Sequence, residues 1–326
     1  MAVYKQANST WQVRMRDPQD RQITKRGFAT KREAQAWEAE QKRAMRSGTY
    51  TAAEGGRVQL DTVYTSWLES KQISERTKHD YAELWRSCIA PTWGSTQLKS
   101  ITPTGITRWI SELSAQHSPA RVRKTATVLN QMLRWAVADQ LIPSNPMERA
   151  KELAGSTLLP RSRRESQPVY LSLEQVNALA DEVDAHYRLM VLTMVWTGLR
   201  FGEVTELRVK DVDLLKGRIH VRRAVSDVAG RLVVGPPKSG QPREVPILAS
   251  AREALASVIE ASSSPDDLIF TTLSGAQVRY SRFRKDVFDP AVKKAGLDGL
   301  TPHGLRHTYA ALAVKAGANP KVLQVA

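Results

Sequence analysis

Residues 11–16, WQVRMR, alternate strictly. Trp11, Val13 and Met15 fall on one side and Gln12, Arg14 and Arg16 on the other. A period of two marks a strand with one buried face. The turn-forming run Asp17-Pro18-Gln19-Asp20 follows, then a second strand over residues 22–28. Thr30 and Glu33 have the spacing of a capping box, which predicts a helix that Gly48 ends. The first segment is therefore a small sheet with one helix packed behind it. Gly55-Gly56 reads as a hinge.

From residue 57 the period changes to that of a helix. One pattern covers residues 60–70. A second runs from Ser74 to Ile89, with Tyr81, Leu84, Trp85 and Cys88 on one stripe. Pro91 and Gly94 break the chain, and a third helix is predicted over residues 103–113. A fourth runs over residues 118–138, with Val122, Ala126, Leu129, Leu133, Ala136 and Val137 as its apolar stripe and Arg121, Arg123, Lys124 and Arg134 around the rest. Pro143, Pro146 and Pro160, with Arg161 to Arg164, mark a linker.

Ser172 and Gln175 form another capping box. Residues 186–197 are nearly all apolar, which predicts a buried helix stopped by Gly198. Residues 218–225 alternate as a strand. Residues 232–234 and 244–247 read as a hairpin pair that places Lys238 at its tip, in the loop 236–242. Helices return over residues 280–296 and from about His303. The expected architecture is multidomain α+β: residues 1–56 a sheet with a helix, 57–150 all helix, 151–168 a linker, and 169–326 mainly helical with a small antiparallel sheet.

The chain's 326 residues suffice for two or three cores. The longest apolar run, residues 189–196, is far too short to cross a bilayer, and the N-terminus holds no secretion-type apolar stretch. The single cysteine, Cys88, excludes an internal disulfide and fits a reducing cytosol. The net charge of +15 changes the picture more. Basic residues exceed acidic ones in all three segments, so a polyanion touched by the whole chain is the natural partner, DNA or RNA. Arg14 and Arg16 on the strand, and Arg121, Arg123 and Lys124 on the fourth helix, are the candidate DNA contacts; the bland reading of each is a solvated face. RNA is disfavoured because no aromatic stacking motif is present.

Three pieces of the last segment carry chemistry. In Thr197-Gly-Leu-Arg-Phe-Gly-Glu203, Arg200 follows a helix-ending glycine and Glu203 lies one turn on. Lys238 occupies Pro237-Lys-Ser-Gly240. His303-Gly-Leu-Arg306-His307 opens a helix, where the dipole favours an anion. His303 and His307 have the spacing of metal ligands, but position 304 is glycine and no third ligand lies nearby in sequence, so no metal is expected.

In this order the pieces resemble the tyrosine recombinase family, the phage integrases. TGLRFGE resembles the box of the first catalytic arginine, PKSGQPREVPI that of the lysine, and PHGLRHTYA the His-x-x-Arg box. The stretch WQVRMRD to RGFATKREAQAW looks like an arm-site DNA-binding domain. SERTKHDYAELWRSCIAPTWG and VLNQMLRWAVADQLIPSNPM look like a core-binding domain.

The resemblance implies a site-specific recombinase that joins phage and host attachment sites through a 3′-phosphotyrosyl link, with no metal or nucleotide. Arg200 and Arg306 would bind the non-bridging oxygens, Lys238 would protonate the leaving 5′-oxygen, and His303 would hold the phosphate or manage the nucleophile's proton. Glu203 would orient Arg200, and His307 reads as structural. The resemblance further implies double-stranded DNA as partner, a homotetramer on DNA when full length, DNA-bending or directionality factors, and a place in the bacterial host cytosol. The family's tyrosine lies a short way past AGANPKVLQ, so the chain as given is expected to lack its nucleophile; Tyr309 is the one nearby candidate. The rival reading is a non-catalytic DNA-binding or regulatory protein that uses the same surfaces.

Overall fold

The computed structural model describes residues 2–7, 9–18, 20, 22–46, 55–161 and 169–318. The chain divides into two compact units, Met1–Arg163 and Arg164–Ala326. The expected stop at Gly48, residues 162–168 of the expected linker and the tail after Ala318 lie outside the described residues. The linker does not begin at 151: the helix Pro146–Ala154 runs into it and Leu158 is buried in the helical core, because the apolar residues past Pro146 pack on that core. Among the described residues no helix is long and apolar enough to cross a membrane.

The first unit opens with the predicted sheet. Strands Ala2–Lys5, Trp11–Arg16 and Gln22–Phe28 pair antiparallel in sequence order. Val13 and Met15 are buried with Ala34 of the helix Lys31–Arg46. That helix starts with the expected reciprocal bonds: the Glu33 N–H donates to Thr30 Oγ1 at 3.1 Å, and the Thr30 N–H to Glu33 Oε2 at 3.4 Å. Register slips by one residue beside Trp11 and Gln12, because Gln12 pairs with Arg26 and Trp11 with Phe28. The skipped residue is Gly27, whose φ of 90° suits a bulge.

The rest of the unit is helical, with Leu60–Glu69, Glu75–Leu84, Pro103–Gln116, Pro119–Ala138 and Pro146–Ala154 as its main helices. Ser74, Thr102, Ser118 and Asn145 cap four of them through side-chain oxygens. The core holds Trp67, Ile89, Ile106, Leu129, Met132 and Leu133, all essentially inaccessible. The second helix does not stop at Pro91: a π turn over Trp85–Ile89 carries it into Ala90–Trp93 before Gly94. Gly55 is not a free hinge. It is buried in a short 3-10 turn, and a Cβ there would sit 2.7 Å from the Leu141 Cα and 2.8 Å from its carbonyl oxygen.

The second unit packs helices around one core that includes Met190, Val191, Leu255, Phe288 and Leu305. Ser172 caps the helix Leu173–Glu182 with the full box, and Ala185–Thr197 is buried along most of its surface. The sheets correct two expectations. Residues 218–225 are not one strand but two, Arg218–Val221 and Ala224–Val228, separated at Arg222 and Arg223. Lys238 does not sit at a hairpin tip. Strand Arg231–Gly235 pairs with Ala224–Val228, whereas Arg243–Pro246 pairs with Arg218–Val221. The hairpin turn is Ala229-Gly230, at φ 52° and 80°, the positive pair that a two-residue turn demands. Lys238 lies in the connection between the two sheets.

Replacing Gly55 by alanine forces a Cβ into the backbone of Leu141, which cannot move aside as a side chain would. The expected cost is about 1–3 kcal/mol of stability for the helical part of the first unit. Thermal or urea unfolding measures it; an unchanged midpoint would show that Gly55 is not held by this close approach.

Candidate functional site

The site is built where three polar elements of the second unit converge. The helix Ala185–Thr197 ends at Gly198, whose φ of 63° is left-handed. Gly198 has a second reason to be glycine: a Cβ would lie 2.4 Å from Cδ1 of Tyr309. Arg200 is extended and caps the short helix Phe201–Val204. Gly202 allows that turn to lie against the next sheet, since a Cβ there would meet the Val225 carbonyl oxygen at 2.3 Å.

Glu203 is the hub. Its side chain is fully inaccessible. Oε2 accepts the Arg200 backbone N–H at 2.9 Å, and Oε1 accepts Arg200 Nη1 at 3.0 Å. Arg243, at the head of its strand, adds a two-point bond: Nη1 to Oε1 at 3.0 Å and Nη2 to Oε2 at 2.7 Å. Burial pushes the Glu203 carboxyl up, but the bonds from Arg243 and Arg200 outweigh it and hold the group below the usual carboxylate range.

The second arginine of the site comes from the helix Pro302–Lys315. Thr301 caps it, accepting the Gly304 N–H at 3.2 Å. Thr308, fully buried, donates to the Gly304 carbonyl at 3.0 Å and accepts the Leu171 N–H at 3.2 Å, which pins the helix. Arg306 Nη1 donates to the Gly198 carbonyl, so the two sequence boxes are joined directly. Burial lowers the Arg306 guanidinium pKa, and the charges of Arg200 and Arg243 add to the effect. His303 and His307 are exposed, with ring centroids 4.6 Å apart, edge to face. Among the described residues no group of three or more His, Cys, Asp and Glu is arranged to hold a metal.

Lys238 is exposed and follows the buried Pro237. The loop closes with the Gly240 N–H on the Pro237 carbonyl at 2.8 Å, Gly240 taking φ 76°. His303 is only partly covered, and that partial burial lowers its pKa first; the charges of His307, Arg306, Arg200 and Lys238 lower it further. Tyr309 is half-buried, its ring packed over Gly198.

The sequence reading passed over Arg243. The signal was present: strand alternation puts Arg243 on the side of buried Val245, with Glu244 and Pro246 outside. An arginine on a buried strand face needs a buried acid.

The five candidate DNA contacts lie in the first unit. Arg14 and Arg16 project from the exposed sheet face opposite Val13 and Met15. Arg14 lies 5.8 Å from the Tyr4 ring centroid, and Arg16 is bonded to Asp20. On the helix Pro119–Ala138, Arg121 Nη2 bonds Glu83 at 2.8 Å, Lys124 Nζ bonds Asp80 at 2.8 Å, and Arg123 Nε bonds the Pro160 carbonyl at 3.0 Å.

His303 gives a pH prediction. An imidazolium among Arg306, Arg200 and Lys238 is disfavoured, so the folded state binds fewer protons than the unfolded chain, and His303 costs stability as pH falls below about 6.5. A phosphodiester bound beside His303 would reverse the local sign and raise the His303 pKa, the imidazole taking up a proton. Duplex affinity therefore gains as pH falls through the window between the free and bound values. NMR titration of the His303 ring, with and without duplex, reads both values; a pKa unchanged or lowered by DNA contradicts the placement of phosphate here.

The comparisons with known proteins come to the same place. Residues 170–326 match the phage integrase family, residues 60–153 the phage integrase central domain, and residues 2–45 an arm DNA-binding domain. The integrase of Mycobacterium phage D29 is 30% identical over 314 residues, covering 92% of this chain and 81% of the relative. The integrase of Mycobacterium phage L5 is 29% identical over 323 residues, covering 94% and 84%. The fold is similar to that of a Tn1549 transposon integrase in complex with a circular intermediate DNA, at a TM-score of 0.70, 20% identity and coverage of 82% and 90%. It is also similar to a lambda integrase tetramer bound to a Holliday junction, at 0.60, 17%, and coverage of 99% and 93%. The chain, with its paired arginine boxes, belongs to the phage integrase family of tyrosine recombinases.

Proposed function

We propose that this chain recombines phage and host attachment sites, and that Arg200, Lys238, His303 and Arg306 hold and activate the phosphodiester to be cut. The observation that supports this best is the cationic site itself: Arg306 reaches Gly198, two residues from Arg200, and the charges of Arg306, Arg200 and Lys238 all bear on His303. Such a cluster repels itself until an anion enters. Arg200 and Arg306 are planar, permanently charged donors suited to non-bridging oxygens during attack. Lys238, on an exposed loop, supplies the proton for the leaving 5′-oxygen. His303, its pKa lowered by partial burial and the neighbouring cations, is able to accept a proton or donate to the phosphate.

The attacking group is a tyrosine that forms a 3′-phosphotyrosyl link. Tyr309 is half-buried with its ring packed over Gly198, which argues against it as that group. Residues 1–56, 57–150 and 169–326 act as arm-binding, core-binding and catalytic domains. The sheet face of Arg14 and Arg16 enters the arm site. Arg121, Arg123 and Lys124 reach core-site phosphates by exchanging their carboxylate and carbonyl partners, a cheap exchange because exposed ion pairs contribute about 0–1 kcal/mol. A homotetramer on DNA in the bacterial cytosol, with bending or directionality factors, completes the reaction. A non-catalytic DNA-binding role is the alternative.

A nicked core-site duplex, labelled on its 3′ side and run on a denaturing gel, separates these readings. The protein shifts the duplex in a native gel and, as a recombinase, leaves a covalent band. Arg200→Ala lowers the rate of that band roughly 10²- to 10³-fold while duplex affinity changes little. A protein that binds but never cleaves supports the non-catalytic alternative. A band that Tyr309→Phe removes makes Tyr309 the nucleophile.

A further inference from the structure

Two arginines share the Glu203 carboxylate, and they are not equivalent. The Arg200 side chain is 33% exposed and gives Glu203 one guanidinium bond. The Arg243 side chain is 10% exposed and gives it two. The remaining nitrogen of Arg243, Nε, is buried with no partner among the described residues. Arg243 thus directs its donors inward, and it is Arg200 that remains accessible.

We propose that Arg243 is a positioning residue of the phosphate site: it supplies the countercharge for Glu203, so that Glu203 orients Arg200 without cancelling the positive charge Arg200 presents to DNA. The proposal rests on the assignment of Arg200 to the phosphate. A carboxylate with no exposure requires a cation. Were Arg200 alone available, it would be drawn into the two-point fork that planar guanidinium and carboxylate favour. Its donors would then be spent, and an incoming phosphodiester would meet a neutral pair.

With Arg243 in that fork, the three groups together carry one net positive charge. Arg200 is left with a single side-chain bond and a backbone bond, which fix its direction. The site feels this surplus, since Arg200 and Arg243 both disfavour the charge on Arg306 while Glu203 opposes them. The pair has a second consequence. Arg243 begins its strand five positions after Lys238, so the fork anchors one end of the loop that carries the lysine.

Inorganic phosphate titrated against the 326-residue chain, read at the His303 ring by NMR, tests the proposal. Phosphate moves the His303 signals in the unsubstituted chain, and Arg200→Gln abolishes the response. Arg243→Gln weakens phosphate roughly tenfold or more, the scale of one charge-assisted bond. Arg243→Lys, which keeps the charge but cannot form the two-point fork, weakens phosphate less than Arg243→Gln does. A purely structural Arg243 would instead lower the thermal midpoint in both variants and leave the phosphate affinity of each unchanged, which overturns the proposal. Where Arg243→Gln does not fold, Arg243→Lys decides: a folded lysine variant as weak as Arg200→Gln also overturns it. An unsubstituted chain in which phosphate never perturbs His303 refutes the phosphate site itself, and with it this inference.

Discussion

A carboxylate with no access to water, held by two guanidinium groups, is the constraint on which the second unit's chemistry depends. Glu203 sits one turn beyond Arg200 and reaches Arg243 forty positions later. It ties the end of a buried helix to the head of a strand, and through that strand to the loop of Lys238. Taking such a charge from water costs several kcal/mol, and its bonds must be nearly ideal to return it. The contacts of 2.7–3.0 Å and the depressed carboxyl pKa show that they are. Removing either arginine leaves a buried charge short of partners, so the arrangement holds or fails as a unit.

The glycines around this hub make the same point in steric terms. Gly198 and Gly202 flank Arg200 at two positions. One lies under the Tyr309 ring and the other against the Val225 carbonyl. A methyl group at either place would force a shift in the packing beside Arg200. The motif TGLRFGE is therefore a packing instruction as well as a chemical one. The side chains that bear charge are placed by backbone that has no room for any other residue.

Much of this was legible in the sequence because the signals are local. The capping boxes at Thr30 and Ser172, the alternation of residues 11–16 and the stop at Gly198 each depend on neighbours within a few positions, and the structure has them where expected. What escaped depends on distant partners. Residues 232–234 and 244–247 read as a hairpin because they are close in sequence, yet the strands there, Arg231–Gly235 and Arg243–Pro246, each pair with an earlier strand. The tight Ala229-Gly230 turn was the overlooked clue. The carboxylates that hold Arg121 and Lys124 lie 38 and 44 positions away, on another helix, where periodicity says nothing. Arg243 was legible by half: alternation puts it on the side of Val245, but its partner Glu203 is set by the fold.

The central claim is that the cluster of Arg200, Lys238, His303 and Arg306 receives one phosphodiester of a DNA duplex. The structure of the chain bound to a core-site duplex measures this directly. The account predicts a backbone phosphate with its non-bridging oxygens about 2.7–3.1 Å from guanidinium nitrogens of both Arg200 and Arg306. A duplex bound elsewhere on the chain, with no phosphate within reach of either arginine, would contradict it.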